Sequence, residues 1–205
     1  MHGASGCARR RVDSTSLVGV CTGSVLELRP ATYDHPDAAL LVAAVQREYV
    51  LRYGGRDATP VDPAEFAPPL GHVVVGYAAG EPVACGGWRT QGPGRSRDRG
   101  SACAVSDAAP PPAGAGALRH GDAEVKRMFV VAAHRGRGHA RAVLAELERS
   151  AAAAGRRRTV LETGTRQPEA IALYTSSGYV PMTAFGVYRD SPNCRCFAKA
   201  LPPSG

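Results

Sequence analysis

The sequence predicts a mixed α/β fold, with one sheet of six or seven strands and helices packed against it. Three observations carry that expectation. Strand-like and helix-like stretches alternate through the second half of the 205-residue chain. Two extended segments joined by a tight turn precede them, as in an antiparallel hairpin. No run of 18 apolar residues occurs, which excludes a membrane-spanning helix.

The elements follow in order. Val25, Leu26 and Leu28 in SVLELRPAT (24–32) suggest a first strand. His35-Pro36-Asp37 opens a helix, apolar at Ala39, Leu40, Ala43, Val45, Tyr49 and Val50, that runs to Gly54-Gly55. Segment 56–70 is rich in Pro and Asp and reads as a loop with room for one short helical turn. Strands over 72–80 and 82–90 meet at Gly80-Glu81, a two-residue turn. EVKRMFVV (124–131) is a strand, followed by a glycine-bearing loop. A helix then carries Ala140, Val143, Leu144, Leu147, Ala151 and Ala154 at 3/4 spacing and stops at Gly155. TVLET (159–163) is the next strand, and a helix from about Gln167 to Ser177 ends at Gly178. Tyr179 onward is strand-like, and CRCFAKAL (194–201) is the last strand.

Composition places the rest. Residues 91–121 hold 20 Gly, Pro, Ala or Ser in 31 positions and no aromatic residue, too little apolar surface to offset the entropy of ordering. They are expected to be a disordered insertion between two neighbouring strands, because 24–90 alone is too short for a separate core. Residues 1–23 are expected to be a disordered extension, or to reflect a start codon chosen too far upstream, and 202–205 a short tail. A single domain would therefore span 24–201. The net charge of +7 suggests nucleic acid until it is located. Arg9, Arg10 and Arg11 against Asp13 leave +2 in the extension, and four Arg against two Asp leave +2 in the insertion, so the folded part is only mildly basic. No nucleic-acid partner is expected. Six cysteines without a CxxC pair argue against a zinc site or a disulfide framework. No secretory signal is evident, so a cytoplasmic protein with reduced thiols is expected.

The most informative fragment is Val130-Val131-Ala132-Ala133-His134-Arg135-Gly136-Arg137-Gly138-His139-Ala140. A buried strand feeds a loop with two glycines, and a long helix begins at once. Unpaired amides at a helix N-terminus, with the helix dipole, suit a phosphate or pyrophosphate. A dinucleotide fingerprint would need a third glycine where Arg141 stands, and a nucleotide-triphosphate loop would need Gly-Lys-Ser/Thr, which is absent. A tight turn without ligand is the remaining alternative on the loop alone. His134 and His139 have no third ligand in view and read as loop residues, so no metal is expected.

Arg135-Gly136-Arg137-Gly138-His139-Ala140 resembles the Arg/Gln-x-x-Gly-x-Gly/Ala signature of the GNAT superfamily of N-acetyltransferases. LETGTRQPEAIALYTSSGY (161–179) is similar to the same family's L-E-x…A-x-x-L-Y-x-x-x-G-Y/F segment, in the right order and separated by one helix and one strand. The resemblance covers 122–201 well and 24–90 loosely. It implies a mostly antiparallel six- to seven-stranded sheet with flanking helices and a splayed central parallel strand pair, here 124–131 and 159–163.

The resemblance also implies chemistry. Acetyl-CoA would lie in the splay as co-substrate, its pantetheine arm on backbone groups near Phe129, Val130 and Val131. The amides of Arg135, Gly136, Arg137, Gly138, His139 and Ala140 would take its pyrophosphate. Gln167 stands where the family often has a cofactor-contacting Asn. Tyr174 occupies the position of the acid that protonates the CoA sulfur, and a phenol is mostly protonated at neutral pH. Glu124 and Glu162 are both candidates for the base that deprotonates the amine. Tyr49, Trp88, Arg89, Arg127, Tyr188 and Arg189 are candidates for an acceptor pocket, and arginines among aromatics suit a carboxylate-bearing amine. The implied protein is an N-acetyltransferase acting on a small-molecule or peptide amine, monomeric or homodimeric and without membrane contact. The alternative is a sensor that binds acyl-CoA without transferring the acyl group.

Overall fold

A computed structural model describes residues 25–92 and 116–203. Among the described residues seven strands form one sheet: β1 Glu27–Ala31, β2 Gly71–Ala78, β3 Glu81–Thr90, β4 Ala123–Val130, β5 Arg158–Gly164, β6 Val180–Pro181 and β7 Cys194–Ala200. Their spatial order is β1-β2-β3-β4-β5-β7-β6. Every neighbouring pair is antiparallel except β4 and β5. Three α-helices flank the sheet: α1 Pro36–Tyr53, α2 His139–Ala153 and α3 Pro168–Ser176.

Local chemistry sets the helix ends. Pro36 starts α1, where its missing N–H is no loss, and His35 Nδ1 accepts from the Asp37 amide at 3.2 Å. Gly54 closes the helix in the left-handed conformation. The expected short helical turn in 56–70 is a 3-10 turn at Pro63–Phe66, capped by the Asp62 carboxylate.

The β2–β3 hairpin departs from expectation by one residue. Its two turn positions are Ala79 (φ 52°) and Gly80 (φ 84°), with Ala78 paired to Glu81. Two positive φ values in a two-residue turn match the right-handed twist of the strands. Sequence favoured Gly80-Glu81 because Ala79 carries no turn signal.

Each face of the sheet packs a helix. Val74, Ala84, Trp88, Val125 and Leu161 meet Val143, Leu144 and Leu147 of α2. On the other face Val73, Val75, Tyr77 and Cys85 meet Ala38 and Leu41 of α1 and Phe66. Trp88, expected near an acceptor pocket, lies instead 1% exposed on the α2 side, its indole N–H on Ser150 Oγ at 2.9 Å. Strand alternation decides this, since neighbours along β3 face opposite ways.

Two features of β4 position the site. Its parallel ladder with β5 runs only through Ala123↔Thr159, Glu124↔Val160 and Val125↔Leu161, and beyond Val125 the strands part. Against β3, the register jumps between Cys85↔Phe129 and Gly87↔Lys126, so two β4 residues oppose one. Arg127 at this bulge has φ 57°.

Of the segment 91–121, residues 91–92 and 116–121 are described. Gln91 exchanges backbone hydrogen bonds with Asp122 and Gly121, Leu118 packs against the cluster around Val160 and Phe185, and Arg158 holds both Asp122 and the Ala117 carbonyl. The remainder, 93–115, lies outside the described residues, as do residues 1–24.

Candidate active site

Where β4 and β5 part, a cavity of about 380 Å³ opens. Its walls are the end of α1 with the loop behind it, the splayed strand ends, α3 and the segment before β7. Tyr188 Oη accepts from the Ala58 amide at 2.6 Å and ties that last segment to the loop after α1.

Glu162 and Tyr174 both line the cavity. Alternation along β5 puts Glu162 on the same face as Val160, toward Phe185 and Cys196. Its Oε2 is buried and has no hydrogen-bond partner among the described residues. Burial raises its pKa first; Lys126 opposes this, and the Asp57 and Glu124 carboxylates add to it, leaving Glu162 at about 7. Tyr174 comes from α3 and packs with Tyr179 and Phe197. The partner of its hydroxyl is the Met128 sulfur at 4.0 Å, a weak acceptor. Burial alone lifts its pKa to about 12. The pair is thus a carboxylate poised to gain a proton and a phenol that keeps one.

Glu124 lies elsewhere. It is 2% exposed and absent from the cavity wall, accepting from Arg89 Nε at 2.8 Å, Gln91 Nε2 at 2.6 Å and Lys126 Nζ at 2.9 Å. Burial raises its pKa, but Lys126 and Arg89 outweigh that and hold it below the usual carboxylate value. A carboxylate this stabilised is a weak base. Arg89, expected near the acceptor, is likewise spent on Glu124, Glu65 and the Pro60 carbonyl. Arg189 is paired to Asp190 at 3.6 Å, outside the cavity wall.

The loop before α2 has the geometry its sequence suggests. Gly136 (φ 74°) and Gly138 (φ 82°) are left-handed, and a Cβ on either would meet nothing within 4 Å. These glycines are therefore there for backbone shape, leaving open space over the loop. Gly138 is the N-cap of α2, and no side chain caps this end. The first-turn amides, His139 and Ala140 among them, have no intrahelical acceptor. His134 and His139 rings stack at 6.3 Å, and burial, then His134 and Arg137, lower the His139 pKa.

The strand groups beside this loop are already engaged. Val131 N–H donates to Val83 O at 2.9 Å, and Val130 O accepts from Arg135 Nε at 2.9 Å. Arg135 also reaches Glu48 at 2.5 Å and stacks over Phe129. Gln167 lines the cavity, with its Nε2 on Tyr53 Oη at 3.2 Å.

Sequence reasoning missed Lys126, Asp57, Tyr53, Arg56 and Cys194, all on the cavity wall. Lys126 carried a signal, two residues from Glu124 on one strand and hence on the same face. Asp57 and Arg56 sit in a loop without periodicity and carried none.

The sequence pattern of the Acetyltransferase (GNAT) family matches residues 41–179. The chain belongs to that family. It is 43% identical over 72 residues to an IAA acetyltransferase from Azospirillum brasilense, a stretch covering 35% of this chain and 47% of that protein. The chain thus spans about half the length of the curated relative it matches. Among solved structures, a Klebsiella pneumoniae protein assigned to the acyl-CoA N-acyltransferases is 24% identical, with a TM-score of 0.60 over 86% of this chain and 97% of that one. A GNAT acetyltransferase from Elizabethkingia anophelis, solved with acetyl-CoA bound, is 12% identical, with a TM-score of 0.54 over 86% and 98%. These likenesses show the shared fold. Among the described residues no group of three or more His, Cys, Asp or Glu could hold a metal, and no helix is long and apolar enough to cross a membrane.

Proposed function

We propose that the protein transfers an acetyl group from acetyl-CoA directly to an amine, with Glu162 as general base and Tyr174 as general acid. The observation that carries this is their shared cavity at the parting of β4 and β5, with one carboxylate near pKa 7 and one phenol near 12. Between those values both groups hold the protonation state the reaction needs.

The residues fit acetyl-CoA. Uncapped amides at the start of α2, beneath an open double-glycine loop, suit its pyrophosphate. Exchange of Arg135 from the Val130 carbonyl would free a backbone acceptor for the pantetheine arm. Glu162 removes a proton from the acceptor ammonium, and the amine nitrogen attacks the thioester carbonyl. As the carbon–sulfur bond breaks, Tyr174 gives its proton to the leaving sulfur, and the second proton shed by the attacking nitrogen restores the Tyr174 phenol, while Glu162 returns its own proton to solvent. Burial of Tyr174 excludes water from that transfer.

The acceptor reading follows from the wall. Tyr49, Tyr53 and Tyr188 supply aromatic surface, and the exposed Arg56 sits at the rim. Such a lining suits an amine that also carries a carboxylate, a small molecule or a peptide.

The test is release of free CoA thiol from acetyl-CoA against a panel of amino acids, peptides and polyamines. Acceptance of carboxylate-bearing amines, lost in both Glu162→Gln and Tyr174→Phe, supports the reading. Acetyl-CoA binding without turnover of any amine would make the protein a sensor instead.

A further inference from the structure

We infer that Lys126 is a positioning residue for the proposed reaction: its ammonium, anchored by Glu124 at the point where β4 and β5 part, holds the Glu162 carboxylate in its ionised, proton-accepting form. This rests on the reading of Glu162 as the base.

Four observations support it. The parallel ladder ends at Val125↔Leu161, and the next residues in that register are Lys126 and Glu162. They are the first pair released by the splay, and both line the cavity. Lys126 is 8% exposed, so its charge is withheld from water at real cost. An ammonium has three donors, and Lys126 gives one to Glu124 Oε1 at 2.9 Å. Glu124 is itself held by Arg89 and Gln91, so the anchor is rigid and its own negative charge is shared among three donors.

The other groups around Glu162 cannot replace this cation. From β4 come Lys126 and Glu124; from the loop after α1 comes Asp57, which is paired with Arg127. From β7 come the Cys194 and Cys196 thiols, 3.7 Å apart. From the segment before β7, Gly186 lies so close that a Cβ there would stand 2.9 Å from Glu162 Oε2. Tyr49, Tyr53, Tyr174 and Tyr188 add phenol side chains on the cavity wall. Arg127 already answers Asp57, and Arg56 is exposed at the rim, which leaves Lys126 as the buried positive charge facing Glu162 among the described residues. Without it, a buried carboxylate would face two others, and its protonated form would prevail at neutral pH.

The experiment is the pH dependence of kcat/KM for wild type, Lys126→Met, Lys126→Arg and Glu162→Gln. In Lys126→Met the acidic limb should move up by about one to three pH units, with activity recovered on the alkaline side. Lys126→Arg, which keeps the charge, should leave the limb in place. The double variant Glu124→Gln/Lys126→Met removes the anchored pair together and carries the same comparison if the single variant does not fold. Its limb should also rise, because the Glu124 charge lost with Lys126 is already shared with Arg89 and Gln91, while the Lys126 charge lies on the cavity wall with Glu162. A limb unmoved in a folded charge-removed variant, or a rise in KM equal at every pH, would overturn the assignment. Glu162→Gln separates the two readings: if it keeps the wild-type limb, the base assignment itself fails, whatever Lys126 does.

Discussion

The proposed base role of Glu162 sets function against stability. Its pKa in the folded protein, about 7, lies above the ordinary carboxylate value of 4.5. Between those two pH values the native state binds more protons than the unfolded chain, so stability from this group falls as pH rises through the window. Glu162→Gln should therefore stabilise the protein more at pH 8 than at pH 5, while lowering kcat/KM by about 10²–10⁴-fold. Paired thermal melts and rates check both halves; equal stabilisation at both pH values would contradict the assigned environment. Tyr174→Phe should cost kcat on a similar scale with little change in melting temperature, because its hydroxyl makes only a 4.0 Å contact to sulfur. The sequence singled out both residues from their motif, and the structure puts both on one cavity wall. The sequence left Glu124 and Glu162 both open as the base, because Arg89 and Gln91, which with Lys126 hold Glu124, meet it by sheet register and not by sequence spacing.

At the scale of elements, period and punctuation were enough to locate nearly every strand and helix. Helical 3/4 spacing marked α2, Gly155 and Gly178 were read as the stops of α2 and α3, and both glycines take positive φ just past the helix ends. Two matters of register escaped. One was the hairpin turn, where Ala79 adopts φ 52° without a side chain suited to it. Ala79→Asn should relieve part of that strain and stabilise the fold by about 0.5–1 kcal/mol, read as a rise in the urea midpoint at constant m. A lowered midpoint would mean that the turn tolerates Ala for another reason. The other was face: Trp88 and Arg89 adjoin in sequence yet pack on opposite sides of β3, Trp88 against α2 and Arg89 on Glu124, and neither lines the cavity.

For the whole molecule, the described residues on both sides of 93–115 meet in one sheet through Gln91, Gly121 and Asp122. We propose that 93–115 is an insertion into a single acetyltransferase domain that is dispensable for the chemistry. Replacing it with a short Gly/Ser linker should leave kcat/KM within about twofold, since such a change in loop length alters closure entropy by only about 1 kcal/mol. A collapse of activity with an intact fold would instead give the segment a part in the site. The central claim, that the loop before α2 receives acetyl-CoA, is tested most directly by calorimetric titration of the wild type and of Gly138→Trp. A Trp there meets no protein atom within 4 Å of its Cβ, so its effect falls on whatever approaches the loop, beyond the strain of a left-handed φ. Micromolar binding by the wild type, lost in a folded Gly138→Trp, is the predicted result. Absence of binding by the wild type would contradict the account.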